Sequence, residues 1–398
     1  MEKIRVGIIG LGGRGFDVLR DNVLPRSYVI VTGVCDKYDD RCEKAVETVK
    51  ATGQPSPFST TDYRELLELS ELDAVLITCA WEPHIEIACA AMKAGKYTAV
   101  EVGGAYSVDD CWRLVRTHEE TGVHCMLMEN CCYGRVEMMV LNMARQGLFG
   151  EIVHCRGGYH HDLRHEIAYG SENRHYRLRN YLCRNCENYP THELGPIAQL
   201  LDINRGNRML TLNSVASKAA GLRSYIIDEF GPEHDAAGMN FTQGDVVTTI
   251  IKCARGETIT LTLETTLARA YSRGYEVHGA KGTFIEDNMS IFLDKKDNAF
   301  DFEWRKRWGS ADEYRAEYEH PVWKQSLEEG VRGGHGGMDW LVFSDFFAAV
   351  KEGKPAPIDV YDMAAWMSVS CLSEDSVAMG GAPVAIPDFT NGKWINTK

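Results

Sequence analysis

Lys3-Ile4-Arg5-Val6-Gly7-Ile8-Ile9-Gly10-Leu11-Gly12-Gly13-Arg14-Gly15 is a short apolar strand that runs directly into a G-x-G-x-x-G turn. In a strand-turn-helix unit each glycine has a task. Gly10 permits the tight turn, Gly12 lets backbone N–H groups approach a pyrophosphate at a helix N-terminus, and Gly15 lets the helix pack close to the sheet. A second strand, Tyr28 to Cys35, ends at Asp36, about the ~20 residues downstream where an acid accepts ribose hydroxyls. A carboxylate there would meet a 2′-phosphate, so the pattern implies NAD as cofactor in preference to NADP.

Strands and helices alternate beyond this unit. A helix-like stretch covers Asp40 to Ala51, and apolar strands are predicted over Ala74 to Thr78, Tyr97 to Val102 and His124 to Met128. Helices begin at Glu82-Pro83-His84 and after the cap Ser107-Val108-Asp109-Asp110. The alternation predicts a parallel sheet, and the Rossmann domain is expected to occupy residues 1–130. After a helix over Val136 to Arg145, the runs Ile152 to Arg156, Asp245 to Lys252 and Thr258 to Glu264 are β-branched and not separated by helices. Residues 131–398 are therefore expected to form an α+β substrate-binding and oligomerisation domain on a mostly antiparallel open sheet, within an α/β chain.

Composition narrows the function classes. A net charge of −14 with no basic stripe argues against nucleic acid and anionic membrane as partners. No run of ~18 apolar residues and no signal-peptide core occurs, which gives a soluble, cytoplasmic expectation. Thirteen cysteines, an odd number scattered through predicted strands and helices, fit reduced thiols better than a disulfide framework. Cys183-x-x-Cys186, with His160, His161, His165 and His192 in the same region, raises zinc, but no second Cys or His pair completes a ligand set, and no metal is expected.

The densest polar segment is Arg177 to Arg205. Within it Asn188-Tyr189-Pro190-Thr191-His192 reads as a helix start, with Tyr189 and His192 three apart and able to project toward one side. Tyr159 and His161, two apart on a predicted strand, share a face. Glu129 ends the sixth strand, at the sheet edge where open α/β sheets bind ligands. Gly333-Gly334-His335-Gly336-Gly337-Met338-Asp339 either cradles a phosphate or forms a turn before a helix, with His335 exposed toward a cleft.

Together these blocks resemble the Gfo/Idh/MocA oxidoreductase superfamily and, within it, the NAD-dependent glycosidases of glycoside hydrolase family 109. The similarity is carried by Gly10 to Gly15, Glu101-Val102, Glu129-Asn130, Tyr159-His160-His161, Tyr189-Pro190-Thr191-His192, Leu194-Gly195-Pro196, Asp202-Ile203-Asn204-Arg205-Gly206, Gly333 to Asp339 and Asp359-Val360-Tyr361-Asp362. The resemblance implies acid/base roles for Tyr189, His192, Tyr159 and His161. It also implies sugar contacts from Glu129, Arg177 and His335, and cofactor contacts from Gly10, Gly12, Gly13, Arg14, Gly15, Asp36, Trp81, His84 and Glu101. A small carbohydrate or glycoside is the implied substrate, and a homo-oligomer built through the open sheet face is the implied assembly.

The chain departs from the pattern at three places. Glu101-Val102-Gly103 lacks the lysine of the Glu-Lys-Pro run that sugar dehydrogenases carry, Val102-Gly103-Gly104-Ala105 replaces Val-Pro-Ala-Ala, and Glu193 follows His192 where glycine is usual. The implied activity is hydrolysis of an α-N-acetylgalactosaminide-like substrate by transient C3 oxidation, elimination at C1, water addition and re-reduction. An NAD-dependent sugar dehydrogenase and a non-catalytic NAD-dependent sugar sensor are the alternatives.

Overall fold

The computed structural model describes residues 3–170, 172, 174–298 and 302–395 of the 398. It divides into two compact units. The first comprises Met1–Tyr133 together with Gly330–Ala364, and the second Gly134–Glu329 together with Ala365–Lys398.

Among the described residues the first unit holds a six-stranded parallel sheet of order β3-β2-β1-β4-β5-β6. Its strands are β1 (Ile4–Ile9), β2 (Val29–Cys35), β3 (Phe58–Thr60), β4 (Ala74–Ile77), β5 (Tyr97–Val100) and β6 (Cys125–Leu127). The central strands are buried on both faces, with Val6, Ile8, Val75 and Val100 fully enclosed. That explains why they read as continuous apolar runs and not as alternating patterns. The helix Val108–Thr121 shows how locally the sequence sets its boundaries. Ser107 Oγ accepts the N–H of Asp110 at 3.1 Å, and Gly122 closes the other end at φ 69° with its N–H bonded to His118 O.

Among the described residues the second unit holds an eight-stranded sheet of order β13-β12-β11-β7-β10-β9-β8-β14. The strands are β7 (Ile152–His160), β8 (Met209–Ala216), β9 (Val246–Cys253), β10 (Thr258–Glu264), β11 (Glu276–Gly279), β12 (Gly282–Ile285), β13 (Ser290–Leu293) and β14 (Val384–Ala385). β7 and β10 run parallel; every other neighbouring pair is antiparallel. Ile259, Leu261 and Leu263 alternate inward along β10, so one face of the sheet is apolar and covered. The helix Thr191–Leu200 lies on that face. A Cβ at Gly157 of β7 would fall 2.6 Å from Glu193 Cβ and 3.2 Å from Ile197, so this glycine lets the helix approach the strand.

The sequence predicts a second domain over all of residues 131–398, whereas by contacts Gly330–Ala364 belong to the first unit. The reason is the helix Met338–Glu352, whose Phe343, Phe346 and Phe347 are buried. Phe346 meets the edge of Tyr97 and Phe347 that of Tyr28, while the Arg26 guanidinium lies 3.8 Å above the Trp340 ring and donates to Trp340 O and Ser344 Oγ. Further on, the N–H of Leu127 in β6 donates to Ile358 O.

Truncating Phe346 in this returning helix removes a fully enclosed ring. Phe346→Ala is expected to destabilise the chain by about 3–5 kcal/mol, measured as a fall in the urea midpoint of the transition reporting on the first unit.

Candidate functional site

In the first unit the glycine turn is built around one carbonyl. Gly10 sits at φ 99°, and its oxygen accepts from Thr78 Oγ1 at 2.5 Å. An ideal Cβ on Gly15 would lie 1.9 Å from that same oxygen. At Gly13 a Cβ would meet nothing within 4 Å, and at Gly12 its nearest neighbour would be the Arg41 guanidinium at 3.5 Å. The turn therefore has an open outer side and a closed inner one, the shape that lets a phosphate approach the backbone. Asp36 at the end of β2 is buried. One carboxylate oxygen accepts the N–H of Leu11 at 2.6 Å and the other the N–H of Tyr38 at 3.0 Å. A carboxylate has about four lone-pair sites, so acceptor capacity remains for a ribose hydroxyl.

Trp81 and His84 follow β4. The His84 ring is enclosed, its Nε2 donates to Cys79 O at 3.0 Å, and Nδ1 has no hydrogen-bond partner among the described residues. Burial pushes this imidazole down to about 4, so it is neutral at physiological pH and presents Nδ1 as a bare acceptor. Glu101, just beyond β5, accepts from Arg14 of the glycine turn and from the N–H of Val102. Glu129 and Asn130 follow β6, and Glu129 accepts the N–H of Cys131 at 3.0 Å. These groups, an orphaned buried acceptor included, fit a dinucleotide laid along the carboxyl edge of the sheet.

In the second unit the structure brings together five of the residues singled out from the sequence. Tyr159 on β7 bonds through its hydroxyl to Nδ1 of His161 at 3.0 Å. Its ring lies 4.5 Å from that of Tyr189 and 5.3 Å from that of His192, and Tyr189 and His192 are 4.8 Å apart, centroid to centroid. Arg177, buried in the helix Arg177–Cys183, places its guanidinium 5.1 Å above the Tyr189 ring and forms an ion pair with Glu166, Nε to carboxylate oxygen 2.6 Å. Tyr189 and His192 stand at the beginning of the helix Thr191–Leu200, as their spacing predicts, with Pro190 as the cap.

The electrostatics of this cluster follow from burial. Desolvation raises the Tyr159 hydroxyl far above the ordinary phenol value, with Arg177 opposing the shift. The same effect, helped by Arg177, lowers His161, so its imidazole is neutral at pH 7. Burial works against the charge on Arg177, but Tyr176, Tyr159 and Glu166 around it keep it protonated.

Residues 4–129 match the family described as "Oxidoreductase family, NAD-binding Rossmann fold", and residues 133–396 match "Glycosyl hydrolase 109, C-terminal domain". The chain is 39% identical to a glycosyl hydrolase family 109 protein of Parabacteroides distasonis, covering 99% of this chain and 88% of that one. It is 38% identical to an alpha-N-acetylgalactosaminidase of Tannerella forsythia, covering 99% and 87%. Among solved structures it superposes on levoglucosan dehydrogenase in complex with NADH and levoglucosan at a TM-score of 0.73 and 18% identity, over 97% of this chain and 100% of the other. Myo-inositol 2-dehydrogenase from Lactobacillus plantarum gives 0.69 and 16% over 97% and 100%. The chain belongs to glycosyl hydrolase family 109.

Membership of family 109 makes NAD the cofactor of the first unit and the chain an enzyme of the Gfo/Idh/MocA type. Two departures from the family pattern now have a physical account. A Cβ on Gly103 would fall 2.7 Å from Cδ1 of Trp81, so with Trp81 in this position no larger residue fits the loop after β5. Glu193, beside His192, is buried with its Cβ against Gly157 of β7. All thirteen cysteines are free thiols, with Cys186 buried and Cys183 exposed.

Two residues near the cluster escaped the sequence reading. Tyr271 turns its half-exposed ring edge-on to His161 at 5.1 Å and Tyr159 at 6.4 Å. It lies in a loop between β10 and β11, where no periodicity flags it. Glu187, two residues before Tyr189, is fully enclosed, and burial pushes its carboxyl well above the usual range. Its main chain is pinned, N–H to Ser373 Oγ and carbonyl from Ser370 Oγ.

The crowding at Gly15 yields a test of the cofactor half alone. Gly15→Val is expected to weaken NAD⁺ binding at least tenfold, because the turn must open to admit the side chain. Isothermal titration of the purified chain measures it.

Proposed function

We propose that this family 109 enzyme hydrolyses glycosides of an N-acetylated amino sugar, N-acetylgalactosaminides first among them, by a redox-neutral NAD-dependent route. The observation that carries the reading is the compact Tyr159-His161-Tyr189-His192 cluster under Arg177. It is rich in proton-transfer groups held within ring-contact distance of one another. The sugar identity rests on the names of the relatives.

NAD⁺, when bound, supplies a reversible hydride acceptor for C3 of the sugar, so that the net reaction is hydrolysis. The work left to the chain is proton transfer. The O3 proton must be taken as the C3 carbonyl forms, the now acidic C2 proton must be removed, and the oxygen leaving C1 must be protonated. Tyr189 and His192 serve the steps at C3 and C2, with the Arg177 cation over the Tyr189 ring favouring phenolate character. Tyr159 and neutral His161, already sharing a hydrogen bond, serve the leaving oxygen and the incoming water. Water would add at C1, C2 would regain its proton, and the base that took the O3 proton would return it as C3 goes back to the alcohol level, the hydride being what the bound cofactor would supply.

The sheet of the second unit leaves one face uncovered, with Val215 and Ile250 each roughly half exposed along it. We assign that face to a second copy of the chain. No helix of the described residues is long and apolar enough to cross a membrane, and the free thiols support a cytoplasmic setting.

Aryl α-N-acetylgalactosaminide is expected to release aglycone in an NAD⁺-dependent manner with no net absorbance gain at 340 nm. Accumulating NADH without cleavage would mean a dehydrogenase. His192→Ala is expected to lower turnover at least a thousandfold while NAD⁺ binds as before, measured by aglycone release alongside calorimetric titration.

A further inference from the structure

Asp339 opens the helix Met338–Glu352 and is almost wholly buried, yet it is the most heavily engaged carboxylate of the first unit's described residues near the glycine turn. Arg14 donates to it through Nη1 at 2.6 Å and Nη2 at 3.1 Å. Asn130 donates through Nδ2 at 2.8 Å, and His335 bonds through Nδ1 at 2.9 Å. One carboxylate thus ties together the glycine turn, the segment after β6 and the glycine-rich run that returns from the far end of the chain. That run is built around it. A Cβ on Gly334 would fall 2.7 Å from Asp339 Oδ2, and His335, Gly336 and Gly337 all have positive φ, at 50°, 64° and 102°.

The arrangement changes what Arg14 does. Its Nε and Nη2 also reach Glu101 Oε1 at 2.8 and 2.7 Å, so the guanidinium is consumed by two carboxylates. One cation against two anions leaves the cluster negative, an unfavourable neighbour for the two charges of a pyrophosphate. His335 is the group that can correct this. Its side chain is 54% exposed, and it lies 3.4 Å from Arg14 Nη1.

We propose that Asp339 positions Arg14, Asn130 and His335 as one charge cluster of the dinucleotide site, and that NAD⁺ binds this cluster together with a proton on His335. The inference rests on NAD being the cofactor of the first unit and is independent of the sugar. The groups facing His335 are Asp339 on its own segment, Arg14 of the turn and Glu101 after β5; Asp21 lies within range of Asp339. The hydrogen bond that the imidazole donates to Asp339 raises it above its ordinary value, burial and Arg14 oppose the shift, and Asp339 itself is held far below the carboxylate range. The sign follows by linkage. A proton taken up on binding makes affinity greatest where His335 is charged in the free chain and weaker as pH rises through its titration, which lies above the ordinary imidazole range.

The test is calorimetric titration of the full chain, freed of retained dinucleotide, with NAD⁺ at pH 6.0 to 9.0 in buffers of differing ionisation enthalpy. The parent is expected to take up protons on binding at pH 7.5 and to bind about tenfold more weakly at pH 9 than at pH 6. His335→Gln, at an exposed position that keeps a donor toward Asp339, is expected to lose both the uptake and the pH dependence. Asp339→Asn is expected to weaken binding at least tenfold at pH 6. Tyr133→Phe, which removes a hydrogen bond to Asp345 on the same helix, serves as the structural control and is expected to bind NAD⁺ within about twofold of the parent. No proton uptake by the parent, uptake retained in His335→Gln, or equal weakening in Tyr133→Phe would each overturn the proposal. If Asp339→Asn fails to fold, the His335→Gln comparison decides.

Discussion

The carbonyl oxygen of Gly10 is the point on which the cofactor-binding unit turns. It receives the Thr78 hydroxyl from the end of β4 and lies where a Cβ on Gly15 would be. The residue after it, Leu11, gives its N–H to Asp36 at the end of β2. The ends of three adjacent strands and the start of the first helix are therefore fixed relative to one peptide group. Such a junction tolerates no side chain at Gly15 and needs the positive φ of Gly10, so two glycines set the position of every N–H that could face a phosphate. Asp339 extends the same logic by anchoring Arg14, which stands between those two glycines in the chain.

The second unit works by the opposite means. Its cluster of rings is assembled by edge contacts and desolvation, and burial leaves Tyr159 protonated and His161 neutral. The lasting charge there is Arg177 with Glu166. Low polarity around poised neutral acids and bases suits a sequence of proton transfers in which the electron pair is carried elsewhere.

Much of the fold was legible because local signals and burial agree. The glycine turn, the doubly buried strands and the Ser107 cap each leave a residue-level trace, as do the alternating residues of β10. The ring cluster was legible in part, since Tyr159 with His161 and Tyr189 with His192 share spacings that strand and helix geometry convert into proximity. What stayed hidden depends on contacts between segments remote in sequence. The return of residues 330–364 to the first unit rests on Phe346, Phe347 and Trp340 meeting Tyr97, Tyr28 and Arg26. The helix Met338–Glu352 is apolar on most sides, which marks it as buried without saying against what. Tyr271 and Glu187 belong to the same class, because a loop tyrosine and a lone glutamate carry no periodic signature.

That returning helix has a consequence for how the protein is made. Domains of a nascent chain ordinarily fold in the order in which they emerge, the N-terminal one first. Here the first unit emerges with its six strands complete but without the helix that covers Tyr28 and Tyr97, and with Arg14 lacking Asp339. Almost the whole of the second unit must be synthesised before residues 330–364 appear. The ribosome therefore delivers a dinucleotide-binding sheet whose last supporting layer arrives late, and maturation of the cofactor site is timed by completion of the chain.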